Sequence, residues 1–97
     1  MMNLDKSTKR IAKKVKNGFQ GYPKISLTYY GQSSELANKV VVEFISEEGA
    51  APQSQTFLSN TDAKKDETIQ TTLVKVIERA NAKTVLEAKE ITVEVAE

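Results

Sequence analysis

Leu4, Ile11, Val15 and Phe19 recur at helical spacing and fall in one sector about 80° wide on a helical wheel. Thr8 and Ala12 share that sector, and Lys6, Lys9, Arg10, Lys13, Lys14 and Lys16 fill the opposite side without interruption. Asn3 or Asp5 is placed to cap the start, and Gly18 to end the run in a left-handed turn. The spacing therefore predicts an amphipathic helix over Leu4 to Phe19, docked through Ile11, Val15 and Phe19.

The period then changes to two. In KISLTYY, Ile25, Leu27 and Tyr29 alternate with Lys24, Ser26, Thr28 and Tyr30. In KVVVEFIS, Val40, Val42 and Phe44 alternate with Val41, Glu43 and Ile45. The link QSSELAN is too short for a crossover helix, so these two strands are expected to pair antiparallel. After the Gly- and Pro-punctuated loop EEGAAPQSQ, QTFLS reads as a brief third strand. NTDAKKDE opens a second helix, with apolar positions at Ile69, Leu73, Val76, Ile77 and Ala80 and with Asn81 as terminator.

The tail KTVLEAKEITVEVAE has two readings over residues 83–90. Thr84 and Glu87 have capping-box spacing for a helical turn, yet the same residues suit an extended lead-in. Ile91, Val93 and Val95 alternate with Thr92 and Glu94, which predicts a strand from about Lys89 to Val95. The expected architecture is a two-layer α+β fold in the order α-β-β-β-α-β, its mainly antiparallel sheet packed by two helices. The 97 residues make one domain, 1–97.

Charge changes the picture of the first helix. Residues 1–24 carry seven cations against Asp5 alone, a net +6, whereas the remainder carries seven against twelve acids, a net −5. Exposed helix faces usually mix signs, because opposite charges four residues apart add a few tenths of a kcal/mol. Here Lys6–Arg10, Lys9–Lys13 and Arg10–Lys14 are all like-charged pairs at that spacing. Keeping the face uniformly positive costs helix stability, which points to an anion nearby. That anion is a partner, such as nucleic acid or an acidic protein surface, the acidic remainder of the protein itself or, least favoured because the apolar side is needed for the core, lipid headgroups; the competing reading is a plainly solvated face. Lys6, Lys9, Arg10, Lys13, Lys14 and Lys16 are the candidate contacts.

Chemistry is scarce by comparison. The chain has no histidine and no cysteine, which removes the commonest general base, the thiolate nucleophile and the usual transition-metal ligands. No phosphate-cradling glycine loop or nucleophile elbow occurs, and Asp62 to Glu67 read as acids collected at a helix start rather than as cation ligands. The expectation is a non-enzymatic protein with no cofactor, no metal and no evident small-molecule substrate. No apolar run approaches the length of a membrane span, and the absence of cysteine suits the cytoplasm.

The sheet supplies a competing reading. If Ile25, Leu27, Tyr29, Val40, Val42 and Phe44 face the helices, then Tyr22, Tyr30, Val41 and Ile45 lie on the far side. Such a surface can stack bases, but mixed tyrosine and aliphatic positions more often mark a protein interface. Tyr30, Val41 and Ile45 are thus candidates for a homo-oligomer contact in a structural protein that binds no nucleic acid.

The order helix, three antiparallel strands, helix over residues 4–81 resembles the double-stranded-RNA-binding domain. Lys64 and Lys65 stand where that family carries a basic pair at the start of its last helix. GQSSELAN lacks the family's Gly-Pro-x-His loop, no histidine occurs anywhere, and a strand follows the last helix. The likeness is one of element order, so it implies a fold and no more.

Overall fold

The structure, a computed structural model, describes residues 4–88 and 90–94. Helix α1 (Leu4–Lys16) is followed by strands β1 (Lys24–Gly31), β2 (Lys39–Ile45) and β3 (Gln53–Leu58). A 3₁₀ turn (Ala63–Lys65), helix α2 (Glu67–Arg79) and the short strands β4 (Thr84–Glu87) and β5 (Thr92–Val93) complete the order. The sheet runs β3-β2-β1-β4, with β5 also on β1. β1 with β2 and β2 with β3 are antiparallel, whereas β4 and β5 both run parallel to β1. The fold is α+β, a mostly antiparallel mixed sheet with two helices on one face.

Alternation along the strands decides which face the helices cover. Ile25, Leu27, Tyr29, Val40, Val42 and Val85 share one face and are buried with Ile11, Ile69, Leu73 and Ile77 from the helices. The molecule measures 36 × 35 × 19 Å, its short dimension being one helix layer on one sheet. The two helices lie side by side and run the same way: Ser7 meets Thr71, and Arg10 meets Glu78.

Phe19 does not dock α1. The helix ends at Lys16, Gly18 takes a left-handed φ of 70°, and Phe19 lies beyond it, 62% exposed and edge-on to Tyr22 at 5.6 Å. The core side of α1 is instead Ser7 and Ile11, with Val15 packed partly against it. Ser7 is fully buried because its hydroxyl has a partner, the Thr71 hydroxyl at 3.2 Å. Asp5 sits inside the first turn rather than at the cap, and Asn3 lies outside the described residues.

The second helix also starts later than its acidic lead-in implies. Asp62 accepts from the Lys64 amide and holds the 3₁₀ turn, while Asp66 accepts from the Ile69 amide and caps α2. Ile69, Leu73 and Ile77 are buried as the spacing predicts, together with Val74; Val76 and Ala80 are half-buried, and Asn81 turns left-handed at φ 52°. In the tail, residues Thr84–Glu87 form a strand and not a capping box. The Thr84 hydroxyl accepts from the Gln20 amide and donates to the Gly21 carbonyl, both at 2.7 Å, which ties the α1–β1 linker to β4. The expected strand from Lys89 to Val95 is reduced to Thr92–Val93, and its ends at Lys89 and Val95 lie outside the described residues.

Candidate anion-binding surface

All six cations of α1 are exposed. The burial of Ser7 and Ile11 fixes the rotation of the helix, so Lys6, Lys9, Lys13 and Lys16 project away from the core and Arg10 and Lys14 flank α2. Arg10 reaches Glu78 of α2 at 3.4 Å, with both side chains more than half exposed. Such a pair is worth about 0–1 kcal/mol. Among the described residues, Lys9, Lys13, Lys14 and Lys16 form no ion pair. Among the described residues, the acids therefore lie outside ion-pair reach of four of the six cations.

Part of the charge is explained by the helix itself. Lys13, Lys14 and Lys16 lie in the last turn, where the macrodipole favours cations by about 0.3–1 kcal/mol each. Lys9 and Arg10 stand mid-helix and gain nothing from that field. Beside them, α1 and α2 enclose a groove of about 290 Å³ whose walls carry Arg10, Lys13, Lys14 and Glu78 over Ile11 and Ile77. Lys14 also borders a neighbouring depression with Lys83, at the carboxyl end of α2. The basic surface thus extends beyond one helix, and Lys83 is a member that helical spacing within α1 does not reveal.

The other candidates are placed less favourably. Tyr30 and Val41 are half-buried diagonal neighbours on the face away from the helices, since Tyr30 pairs with Lys39 and Val41 with Thr28. Ile45 is on the same face but lies beyond Glu43, at the far end of the β1–β2 ladder. The ring of Tyr30 is occupied by the Lys39 ammonium, 5.1 Å from its centroid, and Lys39 is itself paired with Glu94 at 2.8 Å. Tyr22 precedes β1 and meets Phe19, so no two-tyrosine stacking platform forms. The large apolar side chains most exposed on this face are Leu58 (77%) and Leu86 (39%), one on each flanking strand and neither singled out by the alternation of β1 and β2.

One buried polar cluster stands apart from the basic face. The Tyr29 hydroxyl accepts from Gln70 Nε2 at 3.0 Å and donates to Glu87 Oε2 at 3.2 Å, while Gln70 Nε2 also donates to the Ala63 carbonyl at 2.9 Å. Burial pushes the Tyr29 hydroxyl well above its ordinary range. The Lys64 ammonium lies 5.2 Å from the centroid of the same ring. Of the basic pair Lys64 and Lys65, then, the first is turned towards the core network. Among the described residues no buried side-chain polar atom lacks a partner, and no three carboxylates converge. The cluster ties α2, β1 and β4 together.

The chain matches no protein-family model, no curated protein and no solved structure.

Proposed function

We propose that this protein is a small non-enzymatic binding module that contacts an anionic partner, nucleic acid or an acidic protein surface, through the outer face of α1. The observation that carries the reading is the uncompensated charge: Lys9, Lys13, Lys14 and Lys16 have no acid within ion-pair reach among the described residues. A helix that sets like charges four residues apart, four of them out of ion-pair reach of any described acid, is suited to a counter-charge supplied from outside. Arg10, held loosely by an exposed Glu78, exchanges that pair for a phosphate or carboxylate at little cost. Lys6 and Lys83 extend the footprint on either side. The cytoplasmic setting belongs to this proposal, resting on the cysteine-free composition.

A titration of labelled duplex, labelled single strand and polyglutamate at low and physiological salt tests it. Binding to one of the three should weaken steeply as salt rises. It should weaken markedly, without vanishing at low salt, when Lys9, Arg10 and Lys13 are replaced together by glutamine. The probe that binds names the partner class, and no binding to any of them at low salt overturns the proposal.

The uncovered sheet face favours a second reading, in which the chain is a structural protein that associates through Tyr30, Val41 and neighbouring Leu58. Exposed apolar side chains on a face that no described element covers support it.

A further inference from the structure

β3 forms one margin of the sheet, and it carries none of the features that keep such margins from pairing. Residues Gln53–Leu58 (QSQTFL) include no charge and no proline, and five of the six are exposed. The β2–β3 register advances without interruption from Lys39↔Leu58 to Phe44↔Gln53, so no bulge bends the strand away. On the opposite margin β4 has only four residues, and α1 lies against it.

The direction of the backbone groups follows from the ladder. Along a strand, the N–H and C=O of successive residues point to alternate neighbours. The Leu27 and Gly31 carbonyls accept from the Ala88 and Glu94 amides, so odd-numbered residues of β1 face β4 and β5 and even-numbered ones face β2. Carried through Thr28↔Val41 and Val42↔Gln55, this turns Gln53, Gln55 and Phe57 towards β2. The Ser59 amide donating to the Asn38 carbonyl at 2.8 Å agrees. The backbone groups of Ser54, Thr56 and Leu58 therefore point out of the sheet. Pro52 continues that outward series and has no N–H to offer.

We infer that β3 is a self-association edge, at which two copies of this chain pair antiparallel about a two-fold axis at Thr56. A two-fold that keeps the sheet continuous runs perpendicular to it, and paired residues must share a face. Only registers whose partner numbers sum to an even value meet that condition. The register centred on Gln55 leaves the Leu58 carbonyl opposite Pro52, without a donor. The register centred on Thr56 pairs Thr56 with Thr56 and Ser54 with Leu58, and every outward N–H and C=O on both strands is used. It also sets Phe57 of each copy across from Gln55 of the other. There the ring meets the rim of a groove floored by Val42 and Phe44, which α2 leaves uncovered. No charge faces another in this register, so the edge is complementary to itself. The axis keeps both helical layers on one side of the joined sheet, with the two α1 helices towards its outer margins. This inference stands independently of the anionic partner.

Light scattering over a concentration series, paired with amide exchange, tests it. The mass should double as concentration rises, and the Ser54, Thr56 and Leu58 amides should become protected over the same range. Thr56→Lys and Thr56→Glu should each be monomeric, with circular dichroism unchanged because Thr56 is an exposed edge residue, and mixing the two should restore the dimer. A monomer at every concentration up to about 1 mM would overturn the inference. So would a dimer that leaves the three amides unprotected, or one that Thr56→Lys does not weaken.

Discussion

Tyr29 shows how much of the core rests on polar atoms that sequence periodicity assigns to the apolar face. Its ring is buried as alternation in β1 predicts, yet its hydroxyl has Gln70 and Glu87 as partners, and neither was singled out by pattern. The network has a consequence for pH. A hydroxyl held neutral by burial stabilises the fold below its unfolded value of 10.0, and that contribution is lost as pH rises above it. The wild type should thus lose thermal stability more steeply above pH 10 than Tyr29→Phe. The substitution itself should cost about 1 kcal/mol at neutral pH, read from melting curves. Parallel curves for the two proteins would refute the assignment. Gly31 gives a second expectation: a methyl there would overlap the Leu36 carbonyl oxygen, so Gly31→Ala should destabilise by about 1–3 kcal/mol in a denaturant titration.

At the scale of elements, the strands were the legible part. Alternation placed β1 and β2 and their buried faces, because a strand buried on one face shows its orientation at every second position, and the short QSSELAN link gave their antiparallel pairing. The ends of α1 were not legible in the same way. Phe19 continues the helical spacing, but Gly18 turns the chain away before the side chain can follow Val15 into the core. The helical pattern does not single out Ser7 either, because the hydroxyl that lets it be buried belongs to Thr71, 64 residues away. β4 was ambiguous for a similar reason: TVLE satisfies a capping box locally, and it is the parallel ladder with the distant β1, fastened by Thr84 to the Gln20–Gly21 linker, that makes it a strand. Two substitutions separate the docking residues from the pattern. Ile11→Ala should cost about 2–5 kcal/mol. Phe19→Ser, at an exposed site, should stay within about 0.5 kcal/mol by the same melting assay.

For the whole molecule, the basic face was legible as composition, while its isolation was not. Sequence gives a positive segment and an acidic remainder but no distance between them. In the fold only Glu78 comes within ion-pair distance of Arg10, and Lys9, Lys13, Lys14 and Lys16 are left unpaired among the described residues. A face kept for a partner should be stabilised by its removal. Replacing Lys9, Arg10 and Lys13 by glutamine relieves three like-charged spacings and forfeits one weak ion pair and the dipole interaction of Lys13, so at low salt the melting temperature should hold and not fall as loss of a structural contact would make it.

The same variant provides the most direct test of the central claim. With the nucleic-acid probe that binds, the logarithm of affinity is followed against the logarithm of salt concentration for wild type and for the glutamine variant. If the three side chains contact phosphates, the variant's slope should be shallower by about 2.7 on a duplex or about 2.1 on a single strand. Equal slopes and equal affinities would place the contact elsewhere and contradict the account.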